Sequence, residues 1–235
     1  MIGDTARTWR CLGRKLAPAA LVLVLGASAH AGLYTYNYDV NAAIPDNSII
    51  GITDAHALSG LNSPITSIQV TLDISGGYNG DLYGYLRLND SPLVVLVNRV
   101  GVTSGNSDGY ANSGMLVTLT GSASAQDIHY YQNYNPTYNS SGQLTGTWQA
   151  DGRTDPLDTS RGSLTSFNGL DPNGTWTLFF ADLSAGDQST LLGWSLEITT
   201  VPEPVTVALA IFAVLAGLIK LLTWYRQSRR NAAAG

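Results

Sequence analysis

Gly174–Thr199 reads GTWTLFFADLSAGDQSTLLGWSLEIT, and its two halves repeat every second residue. In the first half Trp176, Leu178 and Phe180 fall on one side; in the second, Trp194, Leu196 and Ile198 alternate with Ser195, Glu197 and Thr199. A period of two sends successive side chains to opposite faces of a pleated strand, so each half predicts a strand with one apolar face. Between them, Asp182, Gly186 and Asp187 supply turn chemistry. The stretch predicts two strands half-buried over a common core.

The same pattern recurs upstream. Ser67–Ile74 (SIQVTLDI) puts Ile68, Val70, Leu72 and Ile74 opposite Ser67, Gln69, Thr71 and Asp73. Further strands are predicted at LYTYNYDV (33–40), LYGYLRL (82–88), PLVVLV (92–97) and MLVTLT (115–120). Gly-, Asn-, Asp- and Ser-rich turns such as SGGYNGD, TSGNSDGYANSG and LDPNGT separate them, and no segment carries a convincing amphipathic helical pattern. The expectation is an all-β body: an antiparallel β-sandwich or jelly roll.

Composition narrows the partners. Residues 32–200 contain four arginines (Arg87, Arg99, Arg153, Arg161), no lysine, fourteen aspartates and Glu197, a formal balance of −11 against −5 for the whole chain. Phosphate backbones need Lys and Arg, so nucleic acid is excluded as a partner, and cations such as calcium suit this surface. The only cysteine is Cys11, so this region has neither disulfide nor thiol chemistry.

The two ends differ from the middle. Arg7, Arg10, Arg14 and Lys15 precede the apolar run Leu16–Ala27, and Ala29 and Ala31 follow with the small-x-small spacing that a signal peptidase reads. Residues 1–31 are therefore expected to be a signal peptide. From Val205 to Tyr225 the only charge is Lys220. That run meets the requirement of about 20 apolar residues for a transmembrane helix. A soluble amphipathic helix is the alternative, but the run offers water no polar face. Trp224 and Tyr225 sit where an aromatic belt belongs, and the basic cluster Arg226, Arg229 and Arg230 predicts a cytoplasmic tail.

Pro202-Glu203-Pro204 stands directly before that run, and two prolines one residue apart hold a chain extended. Triplet, apolar span and basic cluster, in this order, resemble the PEP-CTERM sorting tail. The resemblance covers residues 201–235 and implies an exosortase as partner, in a bacterium that makes extracellular polysaccharide. It also implies transient anchoring in the inner membrane, then cleavage and release to the cell surface or extracellular matrix. An ordinary single-pass anchor is the alternative reading.

Residues 32–200 carry a second resemblance. AIPDN (43–47), ITSIQVTLDIS (65–75), NGDLYGYLRL (79–88) and the closing Phe167–Thr199 segment are similar to the P domain (P/Homo B domain) of proprotein convertases. The family often has a His-Thr pair before its Gly-Asp-Leu, where this chain has GGYN before Gly80-Asp81-Leu82, and 101–154 diverges most. The resemblance implies a β-sandwich of jelly-roll character. In convertases that domain follows and supports a subtilisin-like catalytic domain, which this sequence lacks.

Chemistry-bearing residues are few. GNSDG (105–109) matches G-x-S-x-G around Ser107, but turn residues flank it instead of a strand and a helix. His56 and His129 have no metal-ligand spacing and read as packing or surface histidines. Asp182 and Asp187 bracket the last hairpin loop, a place for calcium, as does the group Asp151, Asp155 and Asp158; aspartates capping turns are the plainer reading of both. Tyrosines in LYTYNY and IHYYQNYNPTY suit sugar stacking on polysaccharide, and equally suit a pleated surface. Three function classes follow: an exported non-catalytic surface or matrix module, a membrane-tethered accessory subunit of a separate subtilisin-like protease, and a hydrolase using Ser107 and His129.

Overall fold

The computed structural model describes residues 31–201 and 204–233, with the side chains of 204–208, 210 and 233 outside that description. The chain divides near Leu209 into a β-sheet body and a C-terminal helix, each described by itself. Eleven strands make two sheets in the body: β1 (Leu33–Ala43), β2 (Ser48–Leu58), β3 (Ile65–Gly76), β4 (Leu82–Leu88), β5 (Val94–Asn98), β6 (Met115–Thr120), β7 (Gln126–Asp127), β8 (Thr137–Tyr138), β9 (Leu144–Gln149), β10 (Gly174–Asp182) and β11 (Ser189–Thr200). The larger sheet runs β1-β11-β3-β6-β9-β7, with β8 also on β9, and the smaller runs β2-β10-β4-β5.

The alternation read from the sequence fixes which faces meet. Ile68, Val70, Leu72 and Ile74 of β3 are at most 3% exposed, and Met115, Val117 and Leu119 of β6 and Leu196 and Ile198 of β11 lie in the same buried cluster. The smaller sheet contributes Leu82, Leu86 and Leu88 of β4, Leu96 of β5, and Trp176, Leu178 and Phe180 of β10. Side chains from two sheets thus fill one core, the dominant stabilising term for a body without disulfides. Trp176, fully buried, donates its indole N–H to the Pro172 carbonyl at 3.0 Å, so burying it strands no donor. β5 is buried at all five positions. Its outer edge is closed by backbone bonds from Asp151 to Leu96 and from Gly152 to Val95, each 3.0 Å, which removes a bare edge.

One expectation is corrected. The sheets are not wholly antiparallel: β6 and β9 pair in parallel, as do β7 and β9. Parallel neighbours need a crossover of a dozen or more residues. The stretch 121–143 supplies it, carrying β7, a 3-10 segment at Ile128–Tyr134 and β8.

The helix α1 runs Pro204–Ala233. It exposes Leu209, Ile211, Phe212, Val214, Leu215, Leu218, Ile219 and Leu222. Among the described residues no helix is long and apolar enough to cross a membrane. Five of the 21 positions in the expected span, 205–208 and 210, have side chains outside that description.

Candidate functional site

Three connections meet at one end of the body. The β1–β2 turn is tied to the β10–β11 loop by Gly186 N–H, which donates to both carboxylate oxygens of Asp46 at 2.9 and 3.0 Å. The β3–β4 connection joins them through Leu183 N–H to the Asp81 carbonyl at 2.9 Å, and Ile44 N–H reaches the Ser189 carbonyl at 2.9 Å. Asp182 closes β10 on the face that carries Trp176, Leu178 and Phe180, and is fully buried. Its Oδ1 accepts from Ser184 N–H at 3.3 Å, while Oδ2 has no partner. Burial, joined by the negative charges of Asp81 and Asp46, pushes its carboxyl up to about 6. Asp81 is also raised, by burial first and then by Asp108 and Asp187, against the opposing pull of Ser184 and Arg99.

Two further buried oxygens stand unpartnered at this end, Asn79 Oδ1 and Ser189 Oγ. Asn79 lies in the 3-10 turn (Asn79–Asp81) that leads into β4, whose Leu82 pairs with Asp182. Ser189 opens β11 opposite Gly76, where that same connection leaves β3. Of the expected pair, Asp182 is buried at the end of β10, whereas Asp187 is exposed in the β10–β11 loop with a φ of +58°. Among the described residues, no three His, Cys, Asp or Glu side chains group closely enough to hold a metal by themselves.

A second polar cluster occupies the crossover. His129 is fully buried, with Nδ1 2.8 Å from Asp151 Oδ2 and Nε2 3.0 Å from the Val102 carbonyl. Arg153 donates to Asp151 Oδ1 at 2.9 Å and to both oxygens of Asp127 at 2.6 and 3.2 Å. Arg161 reaches Asp127 at 2.5 Å and also bonds Gln149. Burial alone raises Asp127, but Arg153, the His129 N–H and Arg161 outweigh it and hold the carboxyl below its ordinary range. His129 thus has both ring nitrogens occupied away from Ser107, whose Oγ bonds Asp108 at 3.0 Å on the surface. The structure does not bring these two hydrolase candidates together.

The other sequence candidates separate likewise. Asp151 joins the buried network, whereas Asp158 accepts from Thr154 and Asp155 at 3.1 and 3.2 Å, and Asp155 accepts from Leu157 N–H at 2.9 Å; the last two cap turns, and the three do not form one cluster. His56 stacks on Tyr38 at 3.7 Å and bonds Asp54 at 2.8 Å, and Asp54 also takes the Trp194 indole N–H at 2.7 Å. Tyr34, Tyr36 and Tyr38 pack against the core instead of presenting a platform; of the second tyrosine run, Tyr131 is buried and Tyr134 and Tyr138 are exposed. In the terminal segments expected to carry export and sorting signals, Ala29, Pro202 and Glu203 lie outside the described residues. Ala31 is exposed, Pro204 starts α1, and Arg226, Arg229 and Arg230 lie exposed along it.

Sequence reasoning missed Asp46 and Asp81 as neighbours of Asp182, because they sit in ordinary turn motifs and meet it only through long-range pairing. It also missed the Arg153 network. There the signal was available: scarce cations in a strongly acidic body are the ones to look for inside ion clusters.

No protein-family model matches the chain, and no curated protein matches it. Solved structures do. The complex of Aeromonas sobria serine protease with its chaperone ORF2 aligns at a TM-score of 0.43 and 14% identity, over 74% of this chain and 28% of that chain. The serine protease of Aeromonas sobria aligns at 0.41 and 15%, over 73% and 27%. The chain thus spans under a third of each of these two solved chains.

Proposed function

We propose that this protein is an exported, non-catalytic module, a P-domain-like β-sandwich of jelly-roll character delivered to the surface or matrix of a bacterium by a cleavable tail. The observation that carries the reading is the order of parts at the C-terminus. Strand β11 ends at Thr200, Pro-Glu-Pro follows one residue later at 202–204, and the apolar run 205–225 leads to Arg226, Arg229 and Arg230. As a helix that run is about 31 Å long, matched to a hydrocarbon core of about 30 Å. An exosortase is the partner that this tail addresses, and polysaccharide is its setting. The separation of Ser107 from His129 favours this reading over a hydrolase. The intact mass of the protein from the host's envelope and matrix tests it. A species running from about Gly32 to Pro202–Pro204 is expected; a species that keeps Arg230 and stays in the inner membrane overturns it.

One feature favours a second reading, the accessory subunit of a separate subtilisin-like protease. Ile49 and Ile50 are each 83% exposed at the start of edge strand β2, and Ile49 shares a groove with Tyr83 and Phe179. Tyr83, Tyr85 and Phe179 form an aromatic cluster on that sheet, with Tyr85 and Phe179 stacked at 4.9 Å. Exposed apolar clusters of this kind mark contact surfaces. Co-purification of a protease that is lost on Ile49→Asp would establish this reading, and its absence from wild-type preparations would remove it.

A further inference from the structure

The sheet order leaves β1, β7, β2 and β5 at the edges, with β8 beside β7. All but β2 are guarded. β5 is closed by the backbone bonds from Asp151 and Gly152, and β7 and β8 are two residues each. β1 is interrupted by a register shift between Asp39 and Ala42, with Asn41 left-handed at a φ of +51°. Covers, short strands and bulges are the usual defences of a sheet edge. Ile52–Leu58 of β2 has none of them. It pairs without interruption with Gly174–Phe180 of β10, and among the described residues no backbone bond reaches its other side. Its side chains add no defence: Thr53, Ala55 and Ala57 are small and exposed, and β2 contains neither proline nor lysine. Ile49 and Ile50, which lead into this segment, are each 83% exposed. A regular strand with one bare backbone edge is a template for another strand.

We propose that β2 receives an extended, basic peptide segment of another protein, which adds to it as a further strand of the smaller sheet. The inference rests on the contact-surface reading of Ile49 and Ile50 and specifies how a partner is held there. Backbone hydrogen bonds along β2 supply the affinity, and side chains set the preference. Charge selects the occupant. Residues 32–200 carry a balance of −11. Asp54 lies within β2 and the exposed Asp46 in the turn before it. A second copy of this chain would bring the same negative excess, and the same Asp54, to the shared edge, so repulsion opposes it. A segment with lysine or arginine at alternate positions gains instead from opposite charges across the new strand pair. Its intervening apolar side chains find Ile50 and the small Thr53, Ala55 and Ala57 beside them, which leave room for larger neighbours.

The test uses the full chain purified in detergent, with an end-capped peptide of alternating valine and lysine as the probe. Residue-resolved hydrogen exchange should show new protection at alternate amides of β2, those turned away from β10, because an added strand bonds only that edge. The same peptide N-methylated at every residue keeps its side chains and charge but loses its donors, and should bind about 10-fold more weakly or worse. A glutamate counterpart should also bind about 10-fold more weakly or worse, and the difference should shrink as salt is raised. Unprotected β2 amides at ~1 mM lysine peptide would overturn the proposal, as would equal binding of the N-methylated or the glutamate form. So would a dimer that protects β2 with no peptide present, which would make a second copy the occupant. The contact-surface reading fails separately. A protease that co-purifies and is lost on Ile49→Asp, with β2 amides unprotected by the peptide, keeps that reading and overturns strand addition. Protection by the peptide with no protease in wild-type preparations does the reverse.

Discussion

Nδ1 of His129 lies 2.8 Å from Oδ2 of Asp151, and neither side chain has any exposure to solvent. Asp151 also takes the Asn98 backbone N–H at 3.1 Å and the Arg153 guanidinium at 2.9 Å, so one carboxylate joins the crossover to the end of β5. Asn98 returns its side-chain amide to the Arg153 carbonyl at 3.0 Å. The network therefore locks the segment that makes the parallel pairing possible. Removing one member of a buried ion cluster leaves the others uncompensated, which costs about 3–5 kcal/mol. Asp151→Ala is expected to lose that much in urea unfolding. Ser107→Ala, at the surface, should fall within about 0.5 kcal/mol of wild type. Equal stability of Asp151→Ala and wild type would show that the cluster contributes nothing to the fold.

Two carboxyls titrate in opposite senses. Asp182 is raised to about 6, so its stabilising form is the protonated one. That contribution is complete below the unfolded value of about 4 and is lost as pH rises through about 6. Asp127 is held low, so its contribution is present above the unfolded value and is lost as pH falls through the folded one. Melting temperature should therefore climb as pH drops from 7 to about 5 and decline in stronger acid. Asp81, also raised by burial, contributes in the same sense as Asp182. Asp182→Asn should flatten that climb while keeping the acid decline. A wild-type profile already flat between pH 5 and 7 would contradict the assignment.

Gly51 and Gly60 separate backbone strain from crowding. Both are left-handed, with φ of +55° and +83°. A Cβ at Gly51 would collide with the Phe180 carbonyl, whereas one at Gly60 meets nothing within 4 Å. Gly60→Ala should cost about 1–2 kcal/mol from the left-handed conformation alone. Gly51→Ala adds an overpacking cost of about 1–3 kcal/mol and should be the worse of the two. Paired denaturant melts decide it, and equal costs would mean that β2 can shift away from β10.

The same glycine shows why part of the fold was illegible. Strands with unbroken alternation, such as Ser67–Ile74 and LYGYLRL, were readable because one face is core. β2 was not: Ile49 and Ile50 are both exposed, and Gly51 interrupts the repeat, so its apolar residues mark no face. β9 was hidden by Gly146 and by a parallel partner that local sequence cannot specify. At the end of β10, Asp182 was legible in principle, as the next member of the inward series Trp176, Leu178, Phe180. A carboxylate on an apolar face is a signal even before its neighbours are known. Asp46 and Asp81 carry no comparable mark, since only the meeting of three loops brings them near.

The tail reading makes a prediction that an ordinary anchor does not. If Pro202-Glu203-Pro204 is the feature an exosortase grips, its two prolines matter, because each fixes its own φ and removes a backbone donor. Pro202→Ala with Pro204→Ala should then stop processing: the species recovered from the host keeps Arg226, Arg229 and Arg230 and accumulates in the inner membrane. The body should melt as in wild type, because its last strand ends at Thr200. Changing Arg226, Arg229 and Arg230 to Gln removes the positive-inside signal and should reduce membrane retention before the cut. A simple anchor would give the same mass and location for wild type and the proline variant alike, so a comparison of intact mass in the two fractions separates the readings.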